Sequence, residues 1–382
     1  MKFLSFALSF FEYKMLWPSY FAICKILYKV DENKVLFADA FASDLTDNMT
    51  PIYTALEKRD GLSLFKSFPK DMSRISRSKE ALNFLKLYSQ CGTLFLTDSM
   101  LPAYAVKKRK KTKVVQLWHA CGAFKKWGYS NLSGSFGVNE KKAKIFPMHN
   151  CYDLVPVSSA EIIPHYAEAF RCSEDIIKPL GVPRTDEMFL KSTPEKIILY
   201  APTFRGENVT SAHNDSIDIE KLKNAFPDYE IIEKYHPFVK CKGENLNTNE
   251  ILKKTEVLIT DYSSIIFEFS LLNRPMIFFA YDLEEYRKER DFYYPYEEFV
   301  PGPIVKNMDE LIEAIKAAIA ANTSAASLVT SSNISSVGLS TNSSISTTTT
   351  KFDFASVSKK LDKYMSACDG HSTERILKEL GF

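Results

Sequence analysis

Leu-Ile-Thr-Asp-Tyr-Ser-Ser (258–264) is an apolar run that turns polar within two residues. Val257–Thr260 reads as a buried strand, and Ser264–Leu272, with its long apolar face, reads as a helix. A strand feeding a helix through so short a turn is the βα step of a parallel sheet. The step recurs on both sides. Ile197–Tyr200 is a strand, Ile219–Ala225 a helix, Tyr229–Glu233 and Met276–Ala280 strands, and Leu311–Ala320 a helix. Earlier in the chain, KVLFA (34–38), TLFLT (93–97), Val114–Leu117 and Leu154–Val157 read as strands. Pro51–Lys58 and Ile162–Phe170 read as helices between them. The turn-rich GVPRTD (181–186) lies between the two series and reads as a crossover. The expected fold class is therefore α/β, with two Rossmann-like domains facing a cleft.

Five segments follow: 1–29, an apolar interfacial segment; 30–185, an acceptor domain; 186–321, a nucleotide-binding domain; 322–350, a Ser/Thr-rich flexible linker; and 351–382, a helical tail. The linker is almost pure Ser, Thr, Ala and Asn, which cannot bury enough apolar area to offset the entropy of ordering it.

The chain has 382 residues, 45% of them apolar, and a net charge of +2, so its total charge gives no reason to expect nucleic acid. Seven cysteines without C-x-x-C pairing fit a reducing compartment and no zinc ribbon. KKRKKTK (107–113) holds six cations in seven residues, either a solvated helix end or a contact for anionic lipid headgroups. Near the N-terminus, Phe3–Phe11 and Met15–Cys24 are apolar and aromatic but are interrupted by Glu12, Lys14 and Pro18. No uncharged run reaches the ~18–20 residues that span a bilayer, and no small-x-small cleavage site follows. An amphipathic helix lying in the membrane interface is expected, with a helix packed on the protein as the alternative.

The chemistry gathers at strand ends, which in an open α/β sheet face the ligand crevice. After Thr260 come Asp261, Ser263 and Ser264 at a helix start, where free N–H groups bind anions. Glu268 follows one turn deeper, able to accept from a ribose diol. A plain N-cap is the alternative. Thr203-Phe204-Arg205 offers a guanidinium fork for phosphate oxygens, or a surface ion pair. His236 precedes Pro237, which biases it to an extended backbone beyond its strand, where it can donate to a pyrophosphate or take a proton, or serve as a structural histidine. His119 follows Trp118 and precedes Gly122, a placement that suits a general base. Cys121 nearby is either the nucleophile of a Cys–His pair or a small buried side chain. No Asp-x-Asp pair or His/Asp cluster points to an obligatory metal, and no cofactor is expected. Arg, His and helix N–H groups can neutralise a leaving phosphate instead.

These segments resemble the CDP-glycerol glycerophosphotransferase family, the teichoic acid glycerol-phosphate primases and polymerases. The longest stretch is ITDYSSIIFEFSLLNRPMIFFAYDLEEYRKERDFYYPYEEFVPGPIV (259–305). QLWHACGAFKKWG (116–128), LYAPTFRG (199–206), KYHPF (234–238), GVPRTD (181–186) and CDGHSTERI (368–376) are similar to its other motifs. The resemblance covers roughly residues 34–320 and the tail. It implies a GT-B-like fold, peripheral on the cytoplasmic face of the cell membrane. It also implies transfer of glycerol phosphate from CDP-glycerol to a hydroxyl of a polyprenyl-diphosphate-linked acceptor, with release of CMP. Carried over, His119 is the acceptor-side base, and His236 and Arg205 hold the phosphates. Ser263, Ser264 and the helix start bind the diphosphate, with Glu268 near the ribose. An anionic membrane surface is the expected partner. A CDP-ribitol ribitolphosphotransferase and a GT-B sugar-nucleotide glycosyltransferase are the alternative readings. Two departures stand out: Ala120 where the family usually has Gly after its His, and the Ser/Thr-rich 322–350.

Overall fold

The computed structural model describes residues 2–71, 73–132, 139–203, 217–234, 247–331 and 359–382. The chain forms two compact units. One comprises Met1–Leu190, Glu289–Tyr293 and Lys363–Phe382; the other comprises Lys191–Lys288 and Tyr294–Asp362.

The first unit holds strands β1 (Asp31–Ala38), β2 (Ser63–Ser67), β3 (Cys91–Leu96) and β4 (Lys113–Gln116) in the order β2-β1-β3-β4, all parallel. Two short parallel strands, β5 (Val155–Pro156) and β6 (Ile177–Lys178), continue beside β4 through a Val115–Leu154 bridge. All six residues of β3 are buried, as expected of a parallel strand covered on both faces. The strand order reverses between β1 and β3, which places the ligand-binding crevice of such a sheet at the ends of those strands.

Its helices include α1 (Lys2–Phe11), α2 (Trp17–Leu27), α3 (Met49–Glu57) and α4 (Arg74–Tyr88). Met49, Ile52 and Leu56 of α3 pack with Val35, Phe37, Phe95 and Val115 of the sheet. A π-helical turn, Glu12–Leu16, joins α1 to α2. Pro18 at the start of α2 has no N–H to donate, and a widened turn before it absorbs that defect. The charge that interrupts the apolar run is also accounted for: Glu12 pairs with Arg74 at 3.1 Å and accepts from the Ser78 hydroxyl at 3.0 Å. Tyr13, Trp17, Phe21 and Cys24 bury one face of this N-terminal helix. Full burial of a side chain such as Phe21 stabilises by about 1.5–3 kcal/mol. Phe11, Met15, Ile23, Ile26 and Leu27 remain exposed.

Most of the basic run 107–113 is engaged by the fold. Arg109 donates through Nη2 to Lys25 O and Tyr28 O and through Nε to Ser89 O, satisfying carbonyls where α2 and α4 end. Lys108 pairs with Asp153, Lys111 with Glu32 at 2.7 Å, and Lys113 donates to Leu380 O.

The tail docks on this unit through two of the quoted motifs. GVPRTD (181–186) belongs to the first unit, and the chain leaves it only after Leu190. The helix Ser372–Leu380 takes its N-terminal cap from Asp186, whose two oxygens accept from the Ser372 and Thr373 amides at 2.8 Å each. His371, at the local capping position, makes no side-chain hydrogen bond to the helix's first amides. Gly181 has φ +88°, and a Cβ there would meet Ser372 Oγ at 2.2 Å and Ala367 O at 2.5 Å. The two motifs are halves of one structural joint.

The second unit is a five-stranded parallel sheet of β7 (Ile197–Tyr200), β8 (Glu230–Glu233), β9 (Val257–Thr260), β10 (Met276–Phe279) and β11 (Ile304–Val305). Its order is β11-β10-β9-β7-β8, so its reversal falls between β7 and β9. The helix Met308–Ser331 packs on it through Leu311, Ile312, Ile315 and Ala318. This helix runs ten residues into 322–350, the segment expected to be a linker; Ala and Leu in AANTSAASL (320–328) supply the helix propensity. Residues 332–358 lie outside the described residues.

Candidate active site

In the first unit the strand ends bring four polar residues to one edge of the sheet. Asp39 follows β1, Thr97 and Asp98 follow β3, and His119 lies three residues past β4. The buried Asp39 accepts from the Thr97 hydroxyl at 2.6 Å and from the Phe41 and Ala42 amides at 2.7 and 2.9 Å. Asp98 accepts from the Ser99 amide at 2.6 Å, and its Oδ2 lies 3.5 Å from His119 Nδ1. A histidine whose Nδ1 faces a carboxylate leaves Nε2 available to take a proton.

The two groups pull each other's titration in opposite directions. Desolvation pushes the His119 imidazole below the usual histidine value, and the Asp98 carboxylate opposes that. The ring keeps 54% of its side-chain surface open, so the desolvation is partial and the downward direction is what matters. Desolvation also raises Asp98, against the lowering pull of His119 and with a further rise from Asp39. A depressed histidine is neutral near pH 7 and can act as a base.

The backbone beneath His119 is unusual. Trp118 has φ +57°, a left-handed conformation costly for a bulky residue. It is held from both sides: its N–H donates to Gln116 Oε1 at 3.0 Å, and its carbonyl accepts from Asn48 Nδ2 at 2.8 Å. Asn48 Oδ1 in turn accepts from the Arg184 amide at 3.2 Å, linking this turn to GVPRTD. The His119 ring stacks on Trp118 with centroids 4.1 Å apart, and Trp118 stacks on Trp127 at 4.3 Å. Just beyond, Gly122 takes φ +60° and donates its N–H to Ser158 Oγ at 3.1 Å. Cys121 is buried, and desolvation pushes its thiol up to about 12, so it is protonated at neutral pH and unsuited to the nucleophile role weighed for it.

In the second unit Asp261 ties two strand-end loops together. Its Oδ1 accepts from the Thr203 amide at 2.8 Å and from its neighbour Tyr262 at 2.5 Å. Thr260 Oγ1 donates to Ala201 O at 2.7 Å, and the Tyr296 hydroxyl donates to Asp261 O at 3.0 Å. These ties fix the loops after β7 and β9, at the point where the strand order reverses. Ser263 and Ser264 are half-buried at the start of the helix Ile265–Ser270, and Ser263 Oγ accepts from the Ile265 amide at 3.4 Å. Glu268 is buried within that helix, and Thr203 is buried beside Asp261. Tyr262 stacks on Tyr286 at 3.9 Å and donates to Asp282 Oδ1 at 2.9 Å.

The structure thus brings Thr203, Asp261, Ser263 and Ser264 to one sheet edge and gives His119 a carboxylate partner. Arg205 and His236 lie outside the described residues. Sequence reasoning did not nominate Asp98, although it was visible as the polar residue directly after TLFLT (93–97). Asp39, Asn48 and Gln116 carried no local signal for the site, because each also bonds a residue 36 to 136 positions away. Among the described residues, no group of three or more His, Cys, Asp or Glu is placed to hold a metal ion.

Comparison with known proteins gives this geometry a context. Residues 20–335 match the family model described as CDP-glycerol:poly(glycerophosphate) glycerophosphotransferase. The chain is 40% identical over 335 residues to the teichoic acid ribitol-phosphate primase of Bacillus spizizenii, covering 78% of this chain and 85% of that protein. It is 28% identical over 279 residues to the teichoic acid glycerol-phosphate primase of Bacillus subtilis, covering 66% and 73%. The solved structure of the wall teichoic acid polymerase TagF matches with a TM-score of 0.71 at 19% identity, covering 95% of this chain and 92% of that one. That likeness is one of fold: α/β with parallel sheets, of the GT-B kind. The chain belongs to the CDP-glycerol:poly(glycerophosphate) glycerophosphotransferase family.

Proposed function

We propose that this chain transfers an alditol phosphate from a CDP-alditol to a hydroxyl of a polyprenyl-diphosphate-linked acceptor, releasing CMP, in the synthesis of teichoic acid or a related surface polymer. The observation that carries the reading is the His119–Asp98 pair at a strand-end edge, in a chain of this family. His119 takes the proton of the acceptor hydroxyl, whose oxygen attacks the β-phosphorus bearing the alditol. The bond from that phosphorus to the bridging oxygen breaks, and CMP leaves. Arg205, His236 and the Ser263–Ser264 turn hold the phosphate charge, Thr203 and Asp261 set that turn, and Glu268 lies toward the ribose. Catalysis of this kind is mainly positioning and electrostatics. The reading calls for no metal, because cationic side chains and helix amides supply the neutralising charge.

CDP-glycerol is the donor the sequence motifs suggest. CDP-ribitol is favoured by the 40% identity to a ribitol-phosphate primase, against 28% to a glycerol-phosphate primase. The reading places the protein at the cytoplasmic face of the cell membrane. The exposed apolar face of the N-terminal helix supports that placement, with the exposed Lys107 and Lys110 available to anionic lipid. No helix among the described residues is long and apolar enough to cross a membrane. The test is incubation with CDP-ribitol, CDP-glycerol and UDP-sugars separately, each with a synthetic polyprenyl-diphosphate-linked saccharide. CMP from one CDP-alditol is expected. UDP release with no CMP would overturn the reading in favour of a glycosyltransferase.

A further inference from the structure

Behind the candidate base lies a buried polar chain that sequence reasoning did not assign. Gln116, the last residue of β4, is fully buried. Its Nε2 donates to the Asp98 carbonyl at 3.2 Å and to the Tyr152 hydroxyl at 2.8 Å, and its Oε1 accepts from the Trp118 amide at 3.0 Å. Tyr152 Oη lies 2.8 Å from His149 Nδ1 and 2.5 Å from Tyr104 Oη. Burial pushes the His149 imidazole down to about 3, so it is neutral and its Nδ1 can accept the Tyr152 proton. The Tyr152 oxygen accepts from Gln116 Nε2.

The amide of Gln116 therefore has one workable orientation. Flipped, its oxygen would face the Asp98 carbonyl and its NH₂ would face the Trp118 N–H, two repulsive contacts in a buried site. In the observed orientation one side chain grips the backbone of Asp98, after β3, and of Trp118, after β4. Those are the two supports of the His119–Asp98 pair, and Trp118 is the strained one.

We propose that Gln116 is a positioning residue: it locks the Asp98 and Trp118 backbones so that the carboxylate of Asp98 and the imidazole of His119 meet in one fixed geometry. The proposal rests on the reading of His119 as the base. Gln116 itself touches neither reacting group. Misplacing a reacting group by about 1 Å costs on the order of 10²-fold in rate, so the effect belongs in kcat and not in donor affinity.

The test is Gln116→Met, which keeps the length of the side chain and removes all three bonds, in the full-length protein. Folding is checked by circular dichroism. Expected are a kcat at least about tenfold lower with the KM for the CDP-alditol within about twofold, and a displaced ¹⁵N signal of the His119 ring. Gln116→Glu is the second variant. It keeps an acceptor for the Trp118 amide and, when ionised, loses the donor to Asp98, so its kcat is expected between the other two. A folded Gln116→Met protein with wild-type kcat and an unmoved His119 signal overturns the proposal. If that variant does not fold, an unchanged kcat in Gln116→Glu overturns it. Should the wild-type protein release no CMP from any CDP-alditol, the functional reading fails instead, and the His119 signal still reports on positioning.

Discussion

Replacing Asp98 with Asn removes a negative charge 3.5 Å from His119 Nδ1 while keeping the side chain's size. Coulomb's law bounds the effect. At that distance two unit charges interact by roughly 1.2 kcal/mol with water-like screening and by roughly 4.7 kcal/mol at an effective dielectric constant of about 20. The imidazole is 54% exposed and the carboxylate 31%, so solvent holds the value near the lower bound, about 1–2 kcal/mol. The charge matters most when His119 carries the acceptor's proton, so the loss falls on the transition state. It corresponds to a kcat about 5- to 30-fold lower. The pH dependence has a definite sign. Asp98 raises the histidine's affinity for protons, so its removal lets His119 stay neutral to more acid pH. The acidic limb of the kcat profile then moves to lower pH. Initial rates of CMP release at saturating donor and acceptor, from about pH 5 to 9, read both effects. A kcat within twofold of wild type, or a limb that moves to higher pH, would refute the assignment of Asp98 as the partner of a catalytic base.

Other consequences are more local. Asp186→Ala strips the cap from Ser372–Leu380 and leaves two amides unsatisfied, for a loss of about 2–3 kcal/mol. A scanning melt should show a midpoint roughly 4–12 °C lower; an unchanged midpoint would contradict the joint between the two motifs. Ile26→Asp with Leu27→Asp alters positions 85% and 67% exposed, so it should spare the fold and reduce sedimentation with vesicles containing anionic lipid. Undiminished vesicle binding would count against the interfacial role of the helix. Asp261→Ala unties the loops after β7 and β9 and should raise the donor KM while lowering stability by about 2–3 kcal/mol, read by isothermal titration with the CDP-alditol and by denaturant melts. A donor affinity equal to wild type would remove Asp261 from the site.

Much of this architecture is legible in the chain because buried parallel strands are short, apolar and punctuated. IILY (197–200) and VLIT (257–260) coincide with β7 and β9, and Ile219–Ala225 forms the helix its spacing predicts. The half-exposed β2 (SLFKS) and the two-residue β11 carry too little apolar pattern to announce themselves. The helix Met308–Ser331 outruns its expected end because Ala and Leu persist where composition suggested only polar linker. The site shows the same division. His119, Thr203, Asp261, Ser263 and Ser264 stand out because polar residues follow apolar runs. Asp39, Asn48 and Gln116 act in part through bonds to residues far along the chain, which no local pattern encodes. The basic run 107–113 has a structural part that its composition does not announce: its Arg109 closes helix ends inside the unit, and three of its lysines have partners in the fold.

The most direct measurement is single-turnover CMP release from CDP-ribitol and CDP-glycerol by wild-type protein and by His119→Ala, with a synthetic polyprenyl-diphosphate-linked acceptor. Wild type should release CMP from one of the two donors, with the alditol phosphate recovered on the acceptor. His119→Ala should lose at least about 10²-fold in rate while binding the donor as before. Transfer by the alanine variant at the wild-type rate would contradict the account at its centre.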